Sequence, residues 1–256
     1  MLDRILSDAR IRSDQAAERT AALVEAAGRS RPARGFSAAL ARPGLSVIAE
    51  VKRRSPSRGV LAAGLDAVAQ ARIYEDAGAT AVSVLTEPSY FSGSLDDLIA
   101  VQDAVDIPVL RKDFVLDPAQ VFESRAAGAD AVLLIVAALG ADLLERMVVA
   151  AADAGIDALV EVHDREEAAI ARASGAHLIG VNNRNLETFA TDLRVAEALA
   201  AAVQGEGIVT VAESGIHTPD DAERMRNADY DAILVGDALV VADDPASSLS
   251  RLVGRS

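Results

Sequence analysis

Apolar residues along this chain gather in eight short runs: 46–52, 80–86, 107–112, 130–136, 157–162, 177–182, 208–213 and 231–236. Each is nearly continuous and rich in Val, Ile and Leu, the pattern of a strand buried on both faces. Between them lie segments with helical period, such as 64–77, 95–104, 118–127, 141–154, 165–173, 192–203 and 219–227. Asp117-Pro118 and Thr218-Pro219 put an N-cap residue before a proline at the first helical position, and Asp164 and Thr191 are further candidate caps. One rhythm recurs. EDAGATAVSVLT (75–86), RAAGADAVLLIV (125–136), ADAGIDALVEVH (152–163) and RASGAHLIGVNN (172–183) each run from an alanine-rich helix end through glycine into a strand. RNADYDAILVG (226–236) repeats it without the glycine. Glycine just past a helix takes the left-handed conformation without steric cost. The glycines at 78, 128, 155 and 175 are 50, 27 and 20 residues apart, consistent with a βα unit skipped once.

Eight strands alternating with helices predict an all-parallel α/β fold. The 256 residues suit a single (β/α)8 barrel, which typically takes about 250. A doubly wound open sheet is the alternative; the absence of GxGxxG after the first strand counts against it. Residues 1–44 precede the barrel, which occupies 45–256. Of these, 3–27 read as one charged amphipathic helix ending at Gly28, and RSRPARGF as a loop. The extension is expected to pack on the barrel as a structural lid.

Composition narrows the chemistry. Hydrophobic residues at 51% and charged residues at 25% are globular values, not those of a disordered chain. The longest apolar run, 131–141, is too short to span a bilayer, and MLDRILSDARIRSDQ has no signal-peptide core. A soluble, cytoplasmic protein is expected. A net charge of -14 and a pI near 4.6 argue against nucleic-acid and membrane partners. With no cysteine, disulfides, Fe–S clusters, thiolate zinc and a Cys nucleophile are excluded. The three histidines, His163, His177 and His217, lack HxH or HxxxH spacing, so no metal site is expected. Of 25 basic residues only Lys52 and Lys112 are lysines, which directs attention to where they lie.

Strand residues of a barrel alternate between interior and helix layer, and its chemistry comes from strand C-terminal ends. Both lysines fall there. The first strand ends in Glu50 and Lys52, two apart and so on one face; the third ends in Lys112; the fifth in Glu161 and His163; the sixth in Asn182, with Arg184 following. Lysine, unlike arginine, can lose its proton when desolvated, which suits an acid of tunable pKa. Ser214-Gly215 and Gly236 follow the seventh and eighth strands, the usual phosphate site of such barrels. Asp237 would repel a phosphate, so it is expected to cap a helix starting at Ala238 and point away. Arg53, Arg54, Ser55 and Arg58 in KRRSPSRG form a cationic loop suited to an anionic ligand. His163 and His217 read as polar packing near the mouth without evident partners, and His177 belongs at the opposite face. Tyr90-Phe91 either covers a planar ring or caps the barrel.

EVKRRSPSRG, TEPSYFSGS, LRKDF, LVEVH, NNRNLETF, AESGI and ILVGDAL, in that order between about 45 and 240, resemble the motif series of the indole-3-glycerol phosphate synthase family. The leading helix resembles that family's N-terminal extension, and the chain is too short for the fused form with a second barrel. The resemblance implies ring closure of 1-(2-carboxyphenylamino)-1-deoxyribulose 5-phosphate, with loss of CO2 and water, and no cofactor. It implies Lys112 as the acid that protonates the ketone oxygen. Glu161, Glu50 and Lys52 would serve the dehydration, in a division the sequence does not reveal. Asn182 would orient Glu161 or a substrate hydroxyl, and Ser214 joins the catalytic set. Lys52 and Arg184 would hold charge on the anthranilate side. Ser214, Gly215 and Gly236, helped by Ser55, would bind phosphate, and Phe91 would pack on the aromatic ring. Leu186 and Asp237 complete the substrate-binding set. The expected partner is a small phosphorylated molecule, with a monomer expected in preference to a dimer. Two rivals stay open. A neighbouring phosphate-binding barrel, such as phosphoribosylanthranilate isomerase, would use one acid and one base. A metabolite sensor would not need the Glu50, Lys52, Lys112 and Glu161 quartet.

Overall fold

In the computed structural model, which describes residues 2–185 and 188–254, the eight runs close into a parallel barrel. Its strands are β1 (Ser46–Val51), β2 (Ala81–Leu85), β3 (Val109–Lys112), β4 (Ala131–Ile135), β5 (Asp157–Val162), β6 (Leu178–Asn182), β7 (Val209–Glu213) and β8 (Ala232–Val235). Each pairs with the next, and β8 returns to β1, so the open-sheet alternative is excluded. The repeat glycines do what the rhythm requires: Gly78, Gly128, Gly155 and Gly175 all have positive φ. In the fifth repeat Asp229 takes φ +58 itself. Asp117 and Thr218 close capping boxes with Gln120 and Asp221, and Asp164 accepts the Glu167 N–H. Thr191 is not a cap. It bridges to Arg184, and the helix begins later, at Arg194, whose N–H is taken by Asp192. The helix after β4 starts at once, at Val136, and turns at Gly140.

Alternation along the strands builds two apolar layers. Ile48, Leu110, Leu133, Leu159, Leu178, Val211 and Leu234 fill the barrel interior. Their neighbours in sequence, such as Val47, Ala49, Val132, Val160 and Ile233, pack under the helices. On β1, β3, β5, β6 and β7 the inward position nearest the C-terminus is polar, Glu50, Lys112, Glu161, Asn182 and Glu213, and these form the polar part of the floor of the site.

The N-terminal extension differs from its prediction. Residues 3–27 are not one helix but two, Leu2–Ala17 and Thr20–Arg29, and the second runs through Gly28. The break lets each half bury its own stripe, Ile5, Leu6, Ala9 and Ala16 in the first, Leu23 and Ala27 in the second. Within the expected loop a third helix, Phe36–Leu40, sends fully buried Phe36 and Leu40 into the interior cluster. Its approach is fixed by carboxylates at strand starts: Arg34 bonds Asp130, and the Ser37 N–H bonds Asp157. No helix among the described residues is long and apolar enough to cross a membrane.

Candidate active site

At the C-terminal end of the barrel lies a cleft of about 1090 Å³, open solvent included. Ring closure of the sheet brings β3, β5 and β7 to a common centre. The Lys112 ammonium stands 3.2 Å from Glu161 Oε2 and bonds Glu213 Oε2 directly. Glu213 was not among the residues the sequence singled out. Its signal was there, because it is the last inward position of β7 as Glu161 is of β5, but the adjacent Ser214-Gly215 drew the phosphate reading. Between these two strands β6 offers glycine. Gly180 registers against Glu161, and a Cβ there would stand 2.2 Å from Glu213 Oε1. The missing side chain is the space in which the Glu213 carboxylate sits.

Three charges in so little water separate in pKa. Burial alone would lower Lys112, but Glu213, Glu161 and Glu50 outweigh it and keep the ammonium protonated well above its ordinary value. Burial opposes the Glu161 carboxylate, yet Lys112, His163 and the Asn182 amide hold it below the usual carboxylate range. Glu213 goes the other way. Burial pushes it up to about 7, Lys112 only partly offsetting this, with the Glu161 and Glu50 charges pushing in the same direction. A cation, an ionised carboxylate and a carboxyl poised near neutrality now share one contact network, the arrangement acid–base chemistry needs.

A second ionic cluster occupies the β1–β8 side. Lys52 Nζ is 2.5 Å from Glu50 Oε1 and 2.8 Å from Asp237 Oδ1. Burial works to lower Lys52, and the two carboxylates raise it further than burial lowers it. Gly236 leaves the room: a Cβ there would meet Glu50 Oε1 at 2.3 Å. Asp237 therefore does not point away. Gly236 is the N-cap of the short helix Asp237–Val240, and Asp237 turns into the cleft because cations await it there, Lys52, Arg184 at 3.5 Å and Arg58 at 4.0 Å. Arg184 also bonds Ser57 Oγ and the Phe189 carbonyl, and its own N–H is accepted by Asn182 Oδ1.

The cationic loop divides. Arg53 is spent on structure, forking onto Asp97 and the Leu65 carbonyl, while Arg58 reaches toward Asp237. Ser55 is buried at the cleft wall, its Oγ accepting the Arg58 N–H at 3.3 Å. Ser214 and Gly215 line the wall next to β7 with φ of +64 and +78. The apolar wall is Phe91 with Phe114, ring centroids 6.4 Å apart, flanked by Leu133 and by Ile5 of the first helix. Phe114, from the RKDF motif, is a further residue the sequence did not single out. Tyr90 does not join Phe91; its hydroxyl bonds Asp8 on the first helix. The same helix sends Arg12 to Asp113 and buried Glu87, so the extension helps build the mouth. His163 is not without partners, since its ring lies between Glu161 and Glu167. His217 lines the cleft, and His177 pairs with Asp157 at the far end as expected. Leu186 lies outside the described residues. Glu50, Lys52, Ser55, Phe91, Lys112, Glu161, Asn182, Arg184, Ser214, Gly215, Gly236 and Asp237 all line this one cleft, whereas Arg53, Arg54 and Arg58 of the cationic loop do not.

The chain is similar to known proteins over nearly its whole length. The sequence profile of the family described as indole-3-glycerol phosphate synthase matches residues 2–252. A protein of that name from Parafrankia sp. is 49% identical over 253 residues, 99% of this chain and 93% of its own. Others, from Koribacter versatilis and Mycolicibacterium smegmatis, are 46% and 47% identical over 99% of this chain and 98% and 93% of theirs. Among solved structures, 3-hexulose-6-phosphate synthase matches with a TM-score of 0.67 over 82% of this chain and 99% of that one, at 17% identity, a likeness of fold alone. A profile that spans nearly the whole sequence, and relatives sharing almost half of it end to end, make this chain a member of the indole-3-glycerol phosphate synthase family.

Proposed function

We propose that this chain converts 1-(2-carboxyphenylamino)-1-deoxyribulose 5-phosphate into indole-3-glycerol phosphate, releasing CO2 and water in a step of tryptophan biosynthesis. One observation carries the reading: a buried ammonium, Lys112, in contact with two carboxylates that differ in proton affinity, facing an aromatic wall. Ring closure needs a proton at the ketone oxygen as the ring carbon attacks. Lys112 is that acid, kept charged by Glu161 and Glu213 until substrate arrives. Loss of CO2 then restores the benzene ring. Dehydration needs an acid for the leaving hydroxyl and a base for the ring-nitrogen proton. Glu161, ionised and oriented by Asn182, serves as the base. Glu213, with its carboxyl near neutrality, can supply or take a proton in the same cage. The Glu50–Lys52 pair shares the dehydration with Glu161.

Binding divides along the cleft. Phe91 and Phe114 cover the ring. Lys52 and Arg184 hold the substrate carboxylate, sharing their charge with Asp237. Ser214, Gly215, Gly236 and Ser55 take the phosphate. A sensor has no use for a lysine among buried carboxylates, and an isomerase needs only one acid and one base. The test is turnover followed by indole fluorescence, against little background since the chain lacks Trp. Lys112→Ala should lower kcat by about 10²–10⁴ and leave substrate affinity within about tenfold. Folded wild-type protein that binds this substrate without forming indole product would overturn the proposal.

A further inference from the structure

The carboxylates around Lys112 pose a problem once Lys112 acts. When it hands its proton to the ketone, Glu161 loses the cation that keeps it ionised. A second basic group stands on the other side of Glu161. His163 Nε2 is 3.4 Å from Glu161 Oε1, while Lys112 contacts Oε2. The two atoms lie within ion-pairing distance, and Nε2 makes no hydrogen bond of good geometry. The ring is fixed from behind. Its Nδ1 lies 3.0 Å from Glu167 Oε2, which also accepts the His163 backbone N–H at 2.7 Å. Glu167 is the third residue of helix Arg165–Ala173, where the helix dipole favours an anion, and its own N–H is tied to Asp164.

We propose that His163 is a positioning residue that acts through Glu161: an imidazolium held between Glu161 and Glu167 keeps Glu161 an ionised base while Lys112 gives up its proton. The inference rests on the reading of Lys112 and Glu161 given above and deepens it. His163 does not line the reaction cleft. It borders a shallow surface depression with Asp164, Arg165, Asp192 and Arg194, so it meets the base from outside the substrate's space. The charged groups facing the pair are therefore Lys112, Glu213 and Glu50 from within the barrel, Glu167 from the helix, and those four on the outer side. The balance among them favours the charged ring: burial opposes it, but Glu161 and Glu167 push His163 up to about 10.

The test is the pH profile of His163→Gln, which keeps a donor beside Glu161 and removes the charge. The acid limb of kcat should move up by about one pH unit or more, with KM within about threefold. A kcat lowered equally at every pH would mark His163 as merely structural and overturn the proposal. A measurement on the unaltered protein covers the case in which the variant does not fold. With only three histidines, the imidazole ¹⁵N signals are few, and His163 should remain doubly protonated at about pH 8, where an ordinary imidazole is neutral. A neutral His163 at that pH would also overturn it. If the wild type makes no indole product, the functional reading fails instead, and the ¹⁵N titration still decides the charge on His163.

Discussion

Gly180→Ala tests the geometry of the Lys112 cage without substituting any charged residue. Gly180 lies in β6 and lacks the positive φ that would penalise a side chain, so alanine adds a methyl group and no backbone strain. That methyl would stand 2.2 Å from Glu213 Oε1 and 3.2 Å from both Glu213 Cδ and Leu159 Cδ1. The carboxylate must withdraw by roughly 1 Å before the contact becomes tolerable. It is 1% exposed and bonded to Lys112, so it moves either away from the ammonium or with it. Overpacking of this kind costs about 1–3 kcal/mol, and at about 2–4 °C per kcal/mol for a chain of this size the loss should be visible in the melting curve. The catalytic effect should be larger. A misplacement of about 1 Å can cost about 10²-fold in rate, equivalent to about 2.7 kcal/mol of barrier. Fluorescence turnover at saturating substrate, beside a thermal melt of the same sample, separates the two effects. A Gly180→Ala protein with kcat within about twofold of wild type would refute the placement of Glu213 against the β6 backbone and its part in orienting Lys112.

Two further predictions concern the barrel floor and the titration of its core. Phe36→Ala empties a fully buried site at the N-terminal end and should cost about 3–5 kcal/mol in denaturant unfolding, while kcat of the folded fraction stays unchanged because the cleft is at the other end. Glu213 is raised to about 7 when folded, against about 4.3 in an unfolded chain. The native state therefore retains a proton that the unfolded state has released, and this contribution to stability, present below about pH 4.3, is lost as pH rises through about 7. Unfolding free energies measured across that window should fall with pH more steeply for wild type than for Glu213→Gln, and parallel curves would contradict the raised carboxyl.

The strands, most caps and the positions of the two lysines were legible in the sequence because they rest on local rules. A buried strand needs a continuous apolar run, a helix needs a cap within three residues, and alternation fixes which side of a strand faces inward. Glu50, Lys112, Glu161 and Asn182 could be assigned to the barrel mouth on those grounds alone. The choice of partners could not. Lys112, Glu161 and Glu213 come from strands that are not neighbours, and only closure of the barrel decides that they touch. Asp237 turned inward because Lys52, Arg184 and Arg58 reach it from other loops, which no capping rule contains. The first helix broke near Arg19, and Phe36–Leu40 became a helix, because the barrel presents two separate surfaces to cover, its outer helices and its open lower end. Local periodicity specified the elements and their faces. The long-range packing of those faces, and the competition of buried charges for one another in little water, decided which residues form the site.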